Sequence, residues 1–475
     1  MSDAGTGSQG HAAHLKDAET RGLPGAFPRP IKITMMGAGS MFTPRLVSDV
    51  LLAPGGAGGE LALCDIDTER LRTMHRLIEK LIADRGLSGW RVRSSAERRE
   101  LLAGSDYVVN CIEVSGVECV RFDNDIPARY GVDQCIGDTI GPGGLFKGLR
   151  TIPVWLEVLR DVEDLCPEAL VLNYTNPMSM MCLAAGRTSS AQVIGLCHSV
   201  QATSKLLSRR AQIRYRDLEW QCAGINHLSW FTTLRHQGRD LYPQLIERAR
   251  LDLAGEPADP QDAGDLVRKD MMLHFGAFIT ESSGHLSEYL PYYRTGEKAR
   301  SRYCGPEYDG QSSFYADEWP GWRVQADASR AAMLEGREST DWKRSWEYAS
   351  WIIEAREKDQ PTRVHGNVMN CSRGSGPAIA NLPDDGVVEV ACMIDRNGIN
   401  PTRYGRLPTQ MAAICASHMY MFDLAATAAI ERSIEAAIQA LMLDPLTAAV
   451  CTPEEIRRMT LELFEAEREF LPGFA

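Results

Sequence analysis

At 475 residues the chain is long enough for two or three domains and a large buried core. With 44% hydrophobic and 24% charged residues it has the composition of a globular protein, and its formal charge of −12 offers no general attraction to nucleic acid or to an anionic membrane surface. No uninterrupted apolar run reaches the roughly 18 residues that a membrane span needs.

Residues 1–30 are rich in Gly, Ala, Ser, Asp and Pro, lack the apolar stretch of an export signal, and read as a flexible tail. From Ile31 to Arg216, short apolar runs alternate with helical periodicity. The runs are Ile31–Gly37, Glu60–Asp65, Asp106–Ile112, Ala169–Tyr174 and Gln192–Cys197, with a weaker one at Trp90–Arg93. Helical spacing marks Thr68–Arg85 and Gly148–Leu165. Runs rich in Val, Ile and Leu suit strands buried on both faces, so residues 31–216 are predicted to form a Rossmann-like, doubly wound parallel sheet of the α/β class.

Beyond Arg216 the alternation fades, and residues 217–475 are expected to form an α+β domain. Strands are predicted within Leu218–Leu234 and Gly386–Ile394, and an irregular loop at Ser301–Arg323. Gln410–Met442, Ala- and Met-rich, should be mostly helix. A last helix should run over Thr452–Phe470, capped by Thr452 with Pro453 in its first turn. The thirteen cysteines, an odd number with no C-x-x-C, are expected as reduced, mostly buried thiols in a cytoplasm.

The first predicted strand ends in Gly37-Ala38-Gly39-Ser40, and a helix pattern follows. That context makes a dinucleotide fingerprint credible, although Phe42 stands where a third glycine is usual. Gly37 allows a tight turn, and Gly39 and Ser40 open a backbone cradle for a pyrophosphate. Asp65, at the end of the second strand, suits a ribose 2′-OH and would repel a 2′-phosphate, which favours NAD over NADP. The alternative is an ordinary strand-to-helix turn.

The last strand of the first half ends Gly195-Leu196-Cys197-His198, and a second histidine follows in Gly224-Ile225-Asn226-His227. Cys197 with His227 would make an open site for a divalent metal. Two other readings remain open: a buried cysteine beside a satisfied histidine, or a thiol nucleophile with His198 as its base.

The stretches ITMMGAGSMF, LALCDID, IGDTIGPGG, LNYTNPMSM, GLCHSVQ, GINHLSW, TESSGHLSEY and LPDDGVVEVACMIDRNGINP together resemble glycoside hydrolase family 4, and within it the melibiose-cleaving bacterial α-galactosidases. The resemblance covers nearly the whole chain after the tail. It implies an α-glycosidase, foremost an α-galactosidase, that depends on NAD and a divalent metal, Mn²⁺ by expectation. Its reaction would be oxidation at sugar C3, elimination across C1–C2, water addition and re-reduction, an exception to the usual pair of carboxylates. It places Cys197 and His227 as metal ligands, Asn176 on the substrate and Asn173 near the nicotinamide ribose, and it gives residues 217–475 to substrate binding and dimerisation. His198 falls where the leaving group is protonated, a role that an unperturbed imidazole suits. The base falls on His285 or Tyr289, depending on one short gap. Arg294, Lys298, Arg300 and Arg302 follow, either as a solvated charge run or as a group reaching an anionic C6 substituent.

Acidic sugars (α-galacturonides or sulfoquinovosides) and α-glucosides are alternative substrates of the same mechanism. An NAD-dependent sugar dehydrogenase and an NAD-sensing binding protein are rival readings. The expected partners are a small glycoside and further copies of the chain, as a homodimer or homotetramer, with no nucleic acid and no membrane.

Overall fold

A computed structural model describes residues 22–257, 259–371 and 376–474. Strands β1 (Ile31–Met36), β2 (Gly59–Cys64), β3 (Trp90–Ser95), β4 (Tyr107–Asn110), β5 (Leu170–Asn173) and β6 (Gln192–Gly195) form the parallel part of the sheet, in the order β6-β5-β4-β1-β2-β3. Every side chain of β4 and β5 is buried, as the apolar runs require of strands covered on both faces. The switch in strand order lies between β1 and β4, where such sheets open a ligand crevice at their carboxyl ends.

The second half does not form a separate sheet. Strands β7 (Glu219–Ile225), β8 (Leu228–His236), β9 (Arg239–Asp240), β10 (Phe278–Ile279), β11 (Thr362–Met369), β12 (Val387–Asp395) and β13 (Gly398–Pro401) extend the first sheet to thirteen strands. The join is antiparallel, with Asn367 of β11 opposite Gly195 of β6. The boundary expected at residue 216 therefore separates two stretches of sequence but not two cores: one apolar cluster runs from Leu23 to Leu471.

Helices of the second half also return to cover the first. Arg330, in the helix Phe314–Leu334, donates to the Gly39 carbonyl at 3.0 Å, and Ala349 N, in the helix Tyr348–Lys358, donates to the Tyr174 hydroxyl at 3.0 Å.

Two expectations need correction. Residues 22–30 are not part of a free tail. Leu23 and Phe27 are buried, and the Leu23 amide donates to Glu354 at 2.8 Å. Residues 1–21 of that expected tail lie outside the described residues. Nor is Ser301–Arg323 an irregular loop: it holds the end of the helix Glu297–Tyr303 and the start of the helix Phe314–Leu334. Its Gly, Tyr and Trp content hid the helices, because the aromatic rings pack on one another (Tyr308, Phe314, Tyr315, Trp319, Trp322) rather than along one helical stripe.

At the C-terminus the structure follows the sequence. Thr452 and Glu455 form a reciprocal capping box at the helix Pro453–Ala466. The Ala- and Met-rich stretch forms the helices Thr409–Glu431 and Ile434–Leu443. The first of these is long and apolar enough to cross a membrane by composition, and half of that apolar stretch is buried within the protein.

Candidate active site

The glycine turn sits at the end of β1. Gly37 has φ +72°, and a Cβ there would stand 2.5 Å from the Cys111 carbonyl oxygen, so the turn runs directly against the chain leaving β4. Gly39 is small for another reason. Its N–H donates to Asp65 Oδ2 at 2.6 Å, and a Cβ would meet that oxygen at 2.9 Å and Arg70 Cβ at 3.2 Å. Asp65 Oδ1 also accepts the Asp67 N–H at 2.9 Å. The acidic residue expected on the ribose thus holds its own loop to the glycine turn. Ser40 Oγ accepts the Phe42 N–H at 3.2 Å, and the Phe42 ring is exposed, which explains why no third glycine is needed.

Asn173, expected near the nicotinamide ribose, is fully buried. It accepts from Asn110 at 2.8 Å and donates to the Thr175 carbonyl at 3.1 Å, bracing the turn that carries Asn176. Three buried oxygens close to the switch point have no partner among the described residues: Thr43 Oγ1, Asn110 Oδ1 and Ser115 Oγ. Unmet hydrogen-bonding atoms of this kind, beside a glycine turn that opens a helix, fit a polar ligand such as a dinucleotide.

Cys197 follows β6, and His227 lies in the tight β7–β8 turn at φ +62°. The turn brings His227 Nε2 to 3.5 Å from Cys197 Sγ. A carboxylate that the sequence reading missed joins them. Glu281 Oε2 lies 3.4 Å from His227 Nε2 and 3.9 Å from Cys197 Sγ. Donors bound to one ion at roughly 2.0–2.3 Å, at a tetrahedral angle, stand roughly 3.3–3.7 Å apart, so this set of sulfur, nitrogen and oxygen fits a divalent cation. Burial lowers the His227 imidazole to about 4, leaving it neutral, the form that binds metal. Burial opposes ionisation of Glu281, but His227, His285 and His198 outweigh it and hold the carboxyl at about 2.

Both candidates for the base reach this cluster. His285 packs edge-on against His227 with ring centres 4.7 Å apart, and its Nδ1 faces Ser282 Oγ at 3.0 Å and Glu281 Oε1 at 3.5 Å. Tyr289 is farther, 6.4 Å from the His227 ring, and is sandwiched against His418. Burial, with Asp138, Glu288 and Glu281 nearby, pushes its phenol well above the usual 10.

His198 begins the helix Ser199–Arg210, with 46% of its side chain exposed and its Nδ1 3.5 Å from Glu347 Oε1. Desolvation lowers this imidazole, yet the bond and charge of Glu347 outweigh it and raise it to about 9. Nothing in the sequence marks Glu347, which arrives from 149 positions away.

Asn176 donates to Asp138 Oδ2 at 3.0 Å. Lys147 Nζ sits 3.7 Å from that oxygen and 3.1 Å from Glu113 Oε2. A cleft opens here, lined by Glu113, Asp138, Lys147, Arg150, Tyr315 and Trp319. Asp138 Oδ1, Arg150 Nε and Trp319 Nε1 are buried without partners among the described residues. An acceptor and two donors beside an aromatic pair suit a ligand rich in hydroxyls. The basic cluster after the base segment is not part of the cleft. Arg294 is fully buried and braces Asp133, Ser287 and the Gly310 carbonyl, while Lys298 and Arg302 are exposed.

Two family models match the chain in succession, one described as Family 4 glycosyl hydrolase over residues 32–213 and one as Family 4 glycosyl hydrolase C-terminal domain over residues 222–447. The chain is 38% identical to the alpha-galactosidase of Bacillus subtilis (strain 168), over 93% of this chain and 99% of that protein. Among solved structures, the lplD protein of Bacillus subtilis superposes with a TM-score of 0.80 at 27% identity, covering 91% of this chain and 99% of that one. A 6-phospho-alpha-glucosidase from gut microorganisms, solved in complex with NAD and Mn²⁺, shares the fold at a TM-score of 0.77 and 23% identity, covering 94% and 100% of the two chains.

Proposed function

The chain belongs to the family 4 glycosyl hydrolases, and on that premise we propose that it is an α-galactosidase that depends on NAD and a divalent metal. The observation that carries the reading is the meeting of Cys197, His227 and His285 at the carboxyl end of the sheet, beside Asn176 and the cleft. Bound at the glycine turn and at the Cys197–His227 pair, NAD supplies a reversible hydride acceptor and the ion a Lewis acid.

The chain's own residues move the protons. Ser282 and Glu281 occupy the Nδ1 side of His285, which leaves Nε2 as the lone pair that takes the sugar C2 proton. Glu347 holds His198 protonated at neutral pH, and its ring is open enough to donate to the departing glycosidic oxygen. Asn176, fixed by Asp138, orients the sugar hydroxyls. Tyr289, 6.4 Å from the His227 ring and stacked on His418, is assigned to the wall of the site.

A neutral sugar suits the cleft better than a galacturonide or a sulfonated sugar. Lys147 is matched by Glu113 and Asp138, and Arg150 by Asp123 and Glu467. Thirteen free cysteines suit a reducing cytoplasm. Assembly as a homodimer or homotetramer is part of the proposal and is read by light scattering. A panel of nitrophenyl α-glycosides, with and without NAD⁺, Mn²⁺ and a thiol, tests the activity. Release should be greatest from the α-galactoside and should need all three additions. Turnover in cofactor-free, metal-free protein overturns the reading.

A further inference from the structure

We propose that Glu281 is a third protein ligand of the divalent ion, joining Cys197 and His227, and that its second carboxylate oxygen ties the ion to His285. The inference rests on the metal reading above and adds a residue to it. Glu281 Oε2 completes the triangle with Cys197 Sγ and His227 Nε2, while Oε1 faces His285 Nδ1 at 3.5 Å. The carboxylate therefore points one oxygen at the Cys197–His227 pair and the other at His285.

The backbone places Glu281 as firmly as His227. β10 pairs with β8, with Ile279 opposite Trp230, and Thr280 N donates to the Ser229 carbonyl at 2.9 Å. His227 opens β8, and Glu281 follows β10, so paired strands deliver both side chains to one point. Ser282 then caps the helix Ser283–Tyr289 through the His285 N–H. Glu281 is held between these anchors at φ +69°, a left-handed conformation costly for a residue with a Cβ and shared by His227 at +62°. Two non-glycine residues of one cluster in this conformation fit a site that fixes side-chain direction at the expense of backbone comfort. A cluster of sulfur, nitrogen and carboxylate oxygen with room for exogenous oxygens suits Mn²⁺, whose harder character favours a carboxylate over a second soft donor.

The test is Mn²⁺ titration of the NAD-loaded protein, followed by the loss of the free-ion electron paramagnetic resonance signal. Glu281→Gln should weaken binding at least about tenfold, since losing even a group that only orients a metal ligand costs about 10–100-fold. Cobalt-loaded Glu281→Cys gives an independent readout: a second thiolate on the ion should strengthen the near-ultraviolet sulfur-to-cobalt charge-transfer band relative to wild type. Far-ultraviolet circular dichroism confirms that each variant is folded. Unchanged Mn²⁺ affinity in Glu281→Gln, with a wild-type cobalt spectrum in Glu281→Cys, overturns the inference. Cys197→Ser is titrated alongside. If it loses Mn²⁺ while Glu281→Gln does not, this inference alone fails; if wild type binds no Mn²⁺, the metal reading itself fails.

Discussion

The Gly39 N–H donates to Asp65 Oδ2 at 2.6 Å, so the ends of β1 and β2 are locked together at the mouth of the dinucleotide crevice. A methyl group at Gly39 would stand 2.9 Å from that oxygen, with Arg70 Cβ at 3.2 Å on another side. Gly39→Ala should therefore push the carboxylate out of its bond, destabilise the fold by about 1–3 kcal/mol and weaken NAD⁺ binding. Urea unfolding and calorimetric NAD⁺ titration read the two effects; wild-type values in both would show that Asp65 does not brace the turn.

His285 and Tyr289 make opposite predictions. His285→Ala should lower kcat about 10²–10⁴-fold, as loss of a general base does, with binding of NAD⁺ little changed. Tyr289→Phe should cost less than about tenfold, because the ring remains and the hydroxyl carries no proton in the reaction. Hydrolysis in D₂O should place deuterium at C2 of the released sugar with wild type. If Tyr289→Phe is the inactive variant and His285→Ala turns over, the roles are reversed.

Trp319 Nε1 is a buried donor with no partner among the described residues, on the wall of the cleft. Trp319→Phe keeps a ring for a sugar to pack on but deletes that donor. KM should rise by a factor of about 5–10, the worth of one hydrogen bond, with kcat within twofold. A variant with unchanged KM would place the substrate elsewhere.

Glu389 is fully buried in β12, held by Ser229 at 2.7 Å, and burial raises its carboxyl from 4.5 to about 8. A raised carboxyl means that the folded protein keeps a proton which the unfolded chain releases. The contribution is fully present below about pH 4.5 and is lost as pH rises toward 8. Glu389→Gln cannot ionise, so it should flatten the wild-type decline between pH 5 and 8.5. The gain over wild type at the alkaline end should be about 2–4 kcal/mol. Urea unfolding at those two values decides it, and parallel declines in both proteins would show that Glu389 is not the group responsible.

The parallel half of the fold was legible because buried strands leave continuous apolar runs, and each of the five runs is a strand within one or two residues of its expected ends. The merging of the halves was not, since Gly195 and Asn367 are neighbours only through a pairing that spans 172 positions. At the site, Cys197, His227 and His285 stood in quoted motifs and lie together, while Asn176, also in a quoted motif, pairs with Asp138. Glu281 and Asp138 stood in those motifs too, in TESSGH and GDT, but an acidic residue beside serine or threonine reads equally well as a cap or a turn. Glu347 carries no local signal, because its meaning comes only from the helix that sets it against His198.

The single thirteen-strand sheet also governs how the molecule is made. When β6 leaves the ribosome, its outer edge has no neighbour, because β11 is still unsynthesised. At about 5–20 residues per second, translating the 172 positions between them takes roughly ten to thirty seconds. For that interval the nascent first half carries an open edge of Val193 and Ile194, the kind of surface that recruits stray strands. Premature termination between Gly195 and Thr362 would leave that edge open for good, so such truncated products should be insoluble rather than partly active.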